Sequence, residues 1–152
     1  MRPHQKLEVW IKALELVTDV YKDTEHFPKE ERYGLTSQIR RAAVSIPANV
    51  AEGAGRHSKK EFAHFLSNSQ GSASELETEL VIAHRLGYLN ETSLARLIAQ
   101  LERIGRLITG LRRHVSLEAR LWRDPNNHKS PRGRSQTIYH LPFTIHLLWR
   151  SN

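Results

Sequence analysis

The amino-acid sequence predicts an all-α protein, an antiparallel up-down-up-down four-helix bundle whose second helix is bent at Pro47. Three observations lead there. Apolar residues recur at intervals of three and four in four separate segments. The connections between those segments are short and punctuated by Pro, Gly or Asn. No stretch alternates with period two over a useful length, so a sheet has no strands to draw on.

The first helix is expected over residues 5–26. Leu7, Ile11, Leu14, Val17 and Tyr21 form one apolar stripe, and Val9, Ala13, Leu16 and Val20 form another. One stripe would serve a core; two imply burial on two sides, and hence self-association. Pro28 and Gly34 punctuate the loop that follows.

The second helix is expected over residues 35–54, with Leu35, Ile39, Ala42, Ile46 and Val50 as its apolar positions. Pro47 lies inside it. A helical proline lacks one amide donor and crowds the carbonyl four residues back, here that of Ala43. Either the helix bends near Ser45–Pro47 with Ser45 or water serving the freed carbonyl, or Ser45 caps a new start.

The third helix opens at Ser58, where "SKKE" matches a capping box, and runs to residue 86, with Gly87 as the C′ residue. Its centre, "SNSQGSAS", is small and polar. Such residues let a neighbouring backbone come close but bury little apolar area. Glu75 and Glu79 are expected on the surface, since Leu76 and Leu80 mark the core side.

Asn90 is the expected N-cap of the fourth helix, flanked by Leu89 and Leu94 as a hydrophobic staple. Leu94, Leu97, Leu101, Ile104, Ile108, Leu111 and Val115 form a heptad seam, which Ile98 and Leu107 widen. The pattern stops at Trp122. Residues 1–122 are therefore read as the bundle and 123–152 as a basic, poorly ordered C-terminal extension. Within that extension "TIYHLPFTIHLLW" is apolar but short and broken by Pro.

Charge narrows the function. The 152 residues carry a net charge of +7, with an isoelectric point near 10.1, which favours an anionic partner such as nucleic acid. Five Lys/Arg and a single acid lie from Arg123 onward, so the extension holds +4 and residues 1–122 only +3. Clustering, not bulk charge, has to carry the case.

Two clusters stand out. Arg56, His57, Lys59 and Lys60 crowd the start of the third helix, where the macrodipole favours acids. They read either as a phosphate site or as solvated lysines on a turn. Along the fourth helix, Arg96, Arg103, Arg106, Arg113 and Arg120 share an outer stripe, flanked by Arg112, and no acid is expected to share it. Such a row suits phosphate backbones; the alternative is a solvated face with Glu102 pairing Arg106. Arg40 and Arg41 lie within the second helix, where an acid could pair with either. Trp10, Tyr21, Tyr33 and Phe62 fit core or interface positions better than base-stacking ones.

Catalytic chemistry finds no support. There is no cysteine, and no nucleophile elbow or glycine-rich phosphate loop. Glu61 and His64, with His57 a turn earlier, make one Glu-x-x-His motif where a di-iron bundle needs two. No cofactor is expected. No stretch has the apolar length of a membrane span or signal peptide, so a cytoplasmic location is expected.

The segment "KLEVWIKALELVTDVYKDTEHFPKEERYGLTSQIRRAAVSIPANVAEGAGRHSKKEFAHFL" resembles the four-helix-bundle proteins encoded in bacterial 23S rRNA intervening sequences. Its portion "GLTSQIRRAAVSIPANVAEG", residues 34–53, is the most specific part, and the resemblance covers roughly residues 5–122. That family is similar in turn to the accessory proteins of diversity-generating retroelements, which are pentameric and bind nucleic acid and a reverse transcriptase. The resemblance implies a homopentamer with a basic surface that binds RNA or DNA nonspecifically; the alternative is a helical scaffold that binds a protein partner such as a reverse transcriptase. It makes Arg40, Arg41, Arg56, Lys59 and Lys60 nucleic-acid contacts. The polar centre of the third helix departs from the family pattern, and the extension lies outside it.

Overall fold

The computed structural model describes residues 2–121. Among them are four α-helices and no strand: α1 (Glu8–Asp23), α2 (Leu35–Ala54), α3 (Lys59–Arg85) and α4 (Glu91–Leu121). Short 3-10 segments cover Pro3–Lys6 and Lys29–Tyr33. α2 packs on α3, α3 on α4, and α1 on both α2 and α4, which closes a helical bundle. The extension, with its apolar stretch, lies outside the described residues.

Local signals set the ends. The Ser58 hydroxyl accepts from the Glu61 amide at 3.1 Å, and the Asn90 carboxamide oxygen accepts from the Ser93 amide at 2.8 Å. After α3, Gly87 takes φ +77°. The Gly87 amide then bonds to the His84 carbonyl and the Tyr88 amide to the Ala83 carbonyl, both at 2.9 Å. This doubly bonded stop needs a left-handed residue, which glycine adopts without a Cβ penalty. α1 is shorter than the expected 5–26. The chain before it is a 3-10 turn, and Leu7, with φ −80° and ψ 122°, is extended and separates the two.

The α4 seam is the core's backbone. Leu97, Leu101, Ile104, Ile108, Leu111 and Val115 are all buried, and Leu94, Ile98 and Leu107 pack against them. In α1 the structure decides between the stripes: Val9, Ala13, Leu16 and Val20 face the core, while Ile11, Leu14 and Tyr21 are 39–44% exposed.

The polar centre of α3 finds its explanation against α2. α2 is one helix through Pro47, so it does not restart at Ser45. Ser69, fully buried, donates to the Ile46 carbonyl at 3.0 Å. The Ser72 hydroxyl meets that of Ser45 at 2.9 Å, and Asn49 donates to the Ser45 carbonyl at 2.8 Å. Small residues at 69, 72 and 73 let the two backbones approach, and hydroxyls replace the apolar contact that larger side chains would have made. Gly53 completes the fit. A Cβ there would lie 2.7 Å from the Phe65 Cβ and 2.8 Å from Phe62 Cδ2.

One surface expectation is overturned. Glu79 is only 6% exposed. It lies seven residues, two helical turns, after Ser72, and so on the same α3 face that α2 covers.

Candidate nucleic-acid interface

The structure divides the basic residues into three groups. The first is tied to α1. Arg96 bonds to Asp23 at 2.7 Å and Asp19 at 3.0 Å, and Arg103 bonds to Glu8 at 2.9 Å. Gln100, between them on α4, donates to Asp19 at 2.8 Å. The expected stripe carries no acid of its own helix, but α1 lays an acidic edge along its first half. These two arginines are neutralised where they stand.

The second group lies on α2. Arg40 donates to the Thr24 hydroxyl at 2.9 Å and stacks over the Tyr21 ring at 4.6 Å. It acts as a clamp between α1 and α2 with no acid partner among the described residues. Arg41 stands 3.9 Å from Glu75 and is well exposed. Both belong to the α1–α2 and α2–α3 seams.

The third group gathers at one place. The Lys59 ammonium pairs with the Glu118 carboxylate, and Arg112 donates to the Ser67 hydroxyl at 3.1 Å. Those two contacts lay the second half of α4 along the first half of α3. The 56–60 cluster and the distal arginines, which are far apart in sequence, thus lie toward the same end of the bundle, the arginines on the outer face of α4. Arg106, Arg113 and Arg120 follow at seven-residue spacing on α4's outer face, all exposed. Arg106 has only a long 3.9 Å approach to Glu102, and Arg113 and Lys60 make no ion pair with any described residue. Arg56 pairs with Glu52 and lies over the Phe65 ring at 5.0 Å. His114 stands 3.1 Å from Glu118. Arg56, Lys59, Lys60, Arg106, Arg112, Arg113 and Arg120 here outnumber Glu52, Glu61, Glu102 and Glu118.

Aromatic placement is uneven. Phe62 is buried as expected. Tyr21 is 44% and Tyr33 89% exposed, but they sit at the loop between α1 and α2, away from the distal arginines. His57, Glu61 and His64 are exposed at the start of α3. Among the described residues no group of three or more His, Asp or Glu could hold a metal ion. No described helix is long and apolar enough to cross a membrane.

A family model described as 23S rRNA-intervening sequence protein matches residues 5–110 of this chain. The chain belongs to that family. The match takes in α1, α2, α3 and most of α4, so the 23S rRNA-intervening sequence protein family accounts for the bundle but stops short of Arg113 and Arg120. A crystal structure from Bacteroides thetaiotaomicron, described as a protein with unknown function from the S23 ribosomal protein family, is similar in fold. It is 24% identical, with a TM-score of 0.50 over 73% of this chain and 97% of that one. No curated protein matches the chain.

Proposed function

We propose that this protein is a non-enzymatic, self-associating helical bundle that binds RNA or DNA nonspecifically through the distal basic surface. The observation that carries the reading is the Lys59–Glu118 contact, because it brings the two clusters of cations to the same end of the bundle. The contacts of that surface are Arg56, Lys59, Lys60, Arg106, Arg112, Arg113 and Arg120. Arg96 and Arg103 add long-range field only, since α1's acids already pair with them. Phosphates need charge and bidentate donors, and exposed arginines on a rigid helix supply both.

Self-association uses the outer stripe of α1. Ile11, Leu14 and Tyr21, with Val44 of α2, are large apolar side chains left in solvent. The family resemblance makes the assembly a homopentamer; the alternative is that this face docks a protein partner such as a reverse transcriptase instead. Within each subunit the helices run up-down-up-down. Ser45–Ser72, Ile46–Ser69 and Arg41–Glu75 support this for α2 and α3, since one number rises as the other falls. α2 bends at Pro47, with residues 1–122 as the bundle and 123–152 as a basic extension.

Filter binding to structured RNA and duplex DNA tests the function. Arg106→Glu with Arg113→Glu is expected to bind at least about tenfold more weakly while keeping the helical circular dichroism of the parent. Full binding by that variant would remove the distal surface from the account.

A further inference from the structure

We infer that the distal basic surface is built for the backbone of a duplex rather than for a single strand. The inference rests on the nucleic-acid reading above and names its substrate class.

Single strands without fixed shape are held by two devices together: a charged groove that follows the flexible backbone, and exposed aromatic rings on which bases stack. Among the described residues the distal surface lacks the second. Arg106, Arg113 and Arg120 stand in a row on the outer face of one helix. Among the described residues the aromatic side chains toward this end of the bundle are Phe62, Phe65 and Trp10, the last packed against the core with the His4 ring 5.1 Å away. Phe62 is buried, and Phe65 is half-buried beneath the Arg56 guanidinium, 5.0 Å from its ring. The exposed tyrosines, Tyr21 and Tyr33, belong to the α1–α2 loop region. Among the described residues no ring is offered to a base where the charge is.

What the surface does have is fixed spacing. Arg106, Arg113 and Arg120 are each seven residues apart, which places them about 10 Å apart along the axis. α4 is one unbroken helix, Glu91–Leu121, packed on α3. Lys59 and Arg112 are held in place by Glu118 and Ser67. A rigid row of this kind matches phosphates that are themselves rigid. Duplex grooves present such phosphates in two facing rows, roughly 12 Å apart across the B-form major groove. A single strand would have to lose conformational freedom to match the row, with no stacking to offset that loss. Contacts of this kind read charge and shape, not sequence.

The test uses the full-length chain, a 20-base-pair RNA duplex, a DNA duplex of the same sequence, and their unstructured component strands, titrated over a salt series. Both duplexes are expected to bind at least about tenfold more tightly than either strand at low salt. Arg106→Glu with Arg113→Glu is expected to bring duplex affinity down to the single-strand level. A stronger preference for the RNA duplex would place the substrate in the A-form subset of the same class. Equal or tighter single-strand binding overturns the inference and leaves the nucleic-acid reading standing. So does a duplex preference that survives in the double variant. Absence of binding to all four probes at low salt overturns the nucleic-acid reading itself.

Discussion

Lys59, the first residue of α3, is paired with Glu118, in the last turn of α4. Lysine at a helix N-terminus faces the positive end of the macrodipole and is mildly disfavoured there. Glu118 offsets that cost, and its other carboxylate oxygen stands 3.1 Å from His114. A cluster that would otherwise repel itself is thereby held together.

Glu118→Gln is therefore expected to raise nucleic-acid affinity by a few-fold at low salt, because it removes one of the few acids on the basic surface. Its effect on stability is expected to be small, about 0–1 kcal/mol, since the pair is partly solvated. Thermal melts and filter binding on the same preparation check both halves. Weaker binding would mean that Lys59's position matters more than the local charge.

Gly53→Ala tests how closely α3 packs on the end of α2. In an open helix end, alanine for glycine stabilises by up to about 1 kcal/mol. Here the new Cβ would collide with the Phe65 Cβ, which cannot swing away as a flexible side-chain tip could. The expected result is destabilisation of about 1–3 kcal/mol in urea unfolding.

Ser69→Ala removes the hydroxyl that reaches the Ile46 carbonyl. The expected cost is about 1 kcal/mol. Ser69→Leu is expected to cost more, about 1–3 kcal/mol, because the α2–α3 seam has no room for it. If leucine were stabilising, the seam would not be closely packed at that point.

Glu79 sets the pH dependence. Burial between α2 and α3, aided by the charge of Glu75 and opposed by Arg41, raises its carboxyl from 4.5 to about 7. One of its oxygens has no hydrogen-bond partner. The fold thus prefers the protonated acid. Its favourable contribution is complete below about pH 4.5 and falls as pH rises to about 7, beyond which the loss is complete. Glu79→Gln is expected to be more stable than the parent at pH 8 and to show a flatter profile between pH 5 and 8. Urea unfolding at several pH values measures it. A parent profile that rises over that interval, and rises less in the variant, would contradict the assignment.

Much of the bundle was legible from single residues. The three-and-four spacing from Leu97 to Val115 marked the inner face of α4, because helical geometry ties spacing to side. Ser58, Gly87 and Asn90 marked ends, because capping is a local interaction. The rest depends on contacts between helices. Periodicity shows that α1 has two apolar stripes, but only packing decides that Leu16 faces in and Leu14 out. Arg96 and Arg103 looked like members of one uninterrupted row, because their acids lie on α1, more than seventy positions away. Glu79 looked exposed because its sequence neighbours Leu76 and Leu80 pointed to a different side. The small side chains at 69, 72 and 73, which let α2 close over it, were visible, but the partner they admitted was not.

The salt dependence of binding tests the central claim most directly. Log affinity for an RNA or DNA duplex is to be measured against log salt for the parent, for Arg106→Ala with Arg113→Ala, and for Arg96→Ala with Arg103→Ala. The account predicts a steep negative slope for the parent and a slope shallower by about two for the distal pair, one for each lost phosphate contact. For the proximal pair, already bound to Asp19, Asp23 and Glu8, the change is expected to be below about one. A parent slope near zero, or a proximal pair that accounts for the loss, would contradict it.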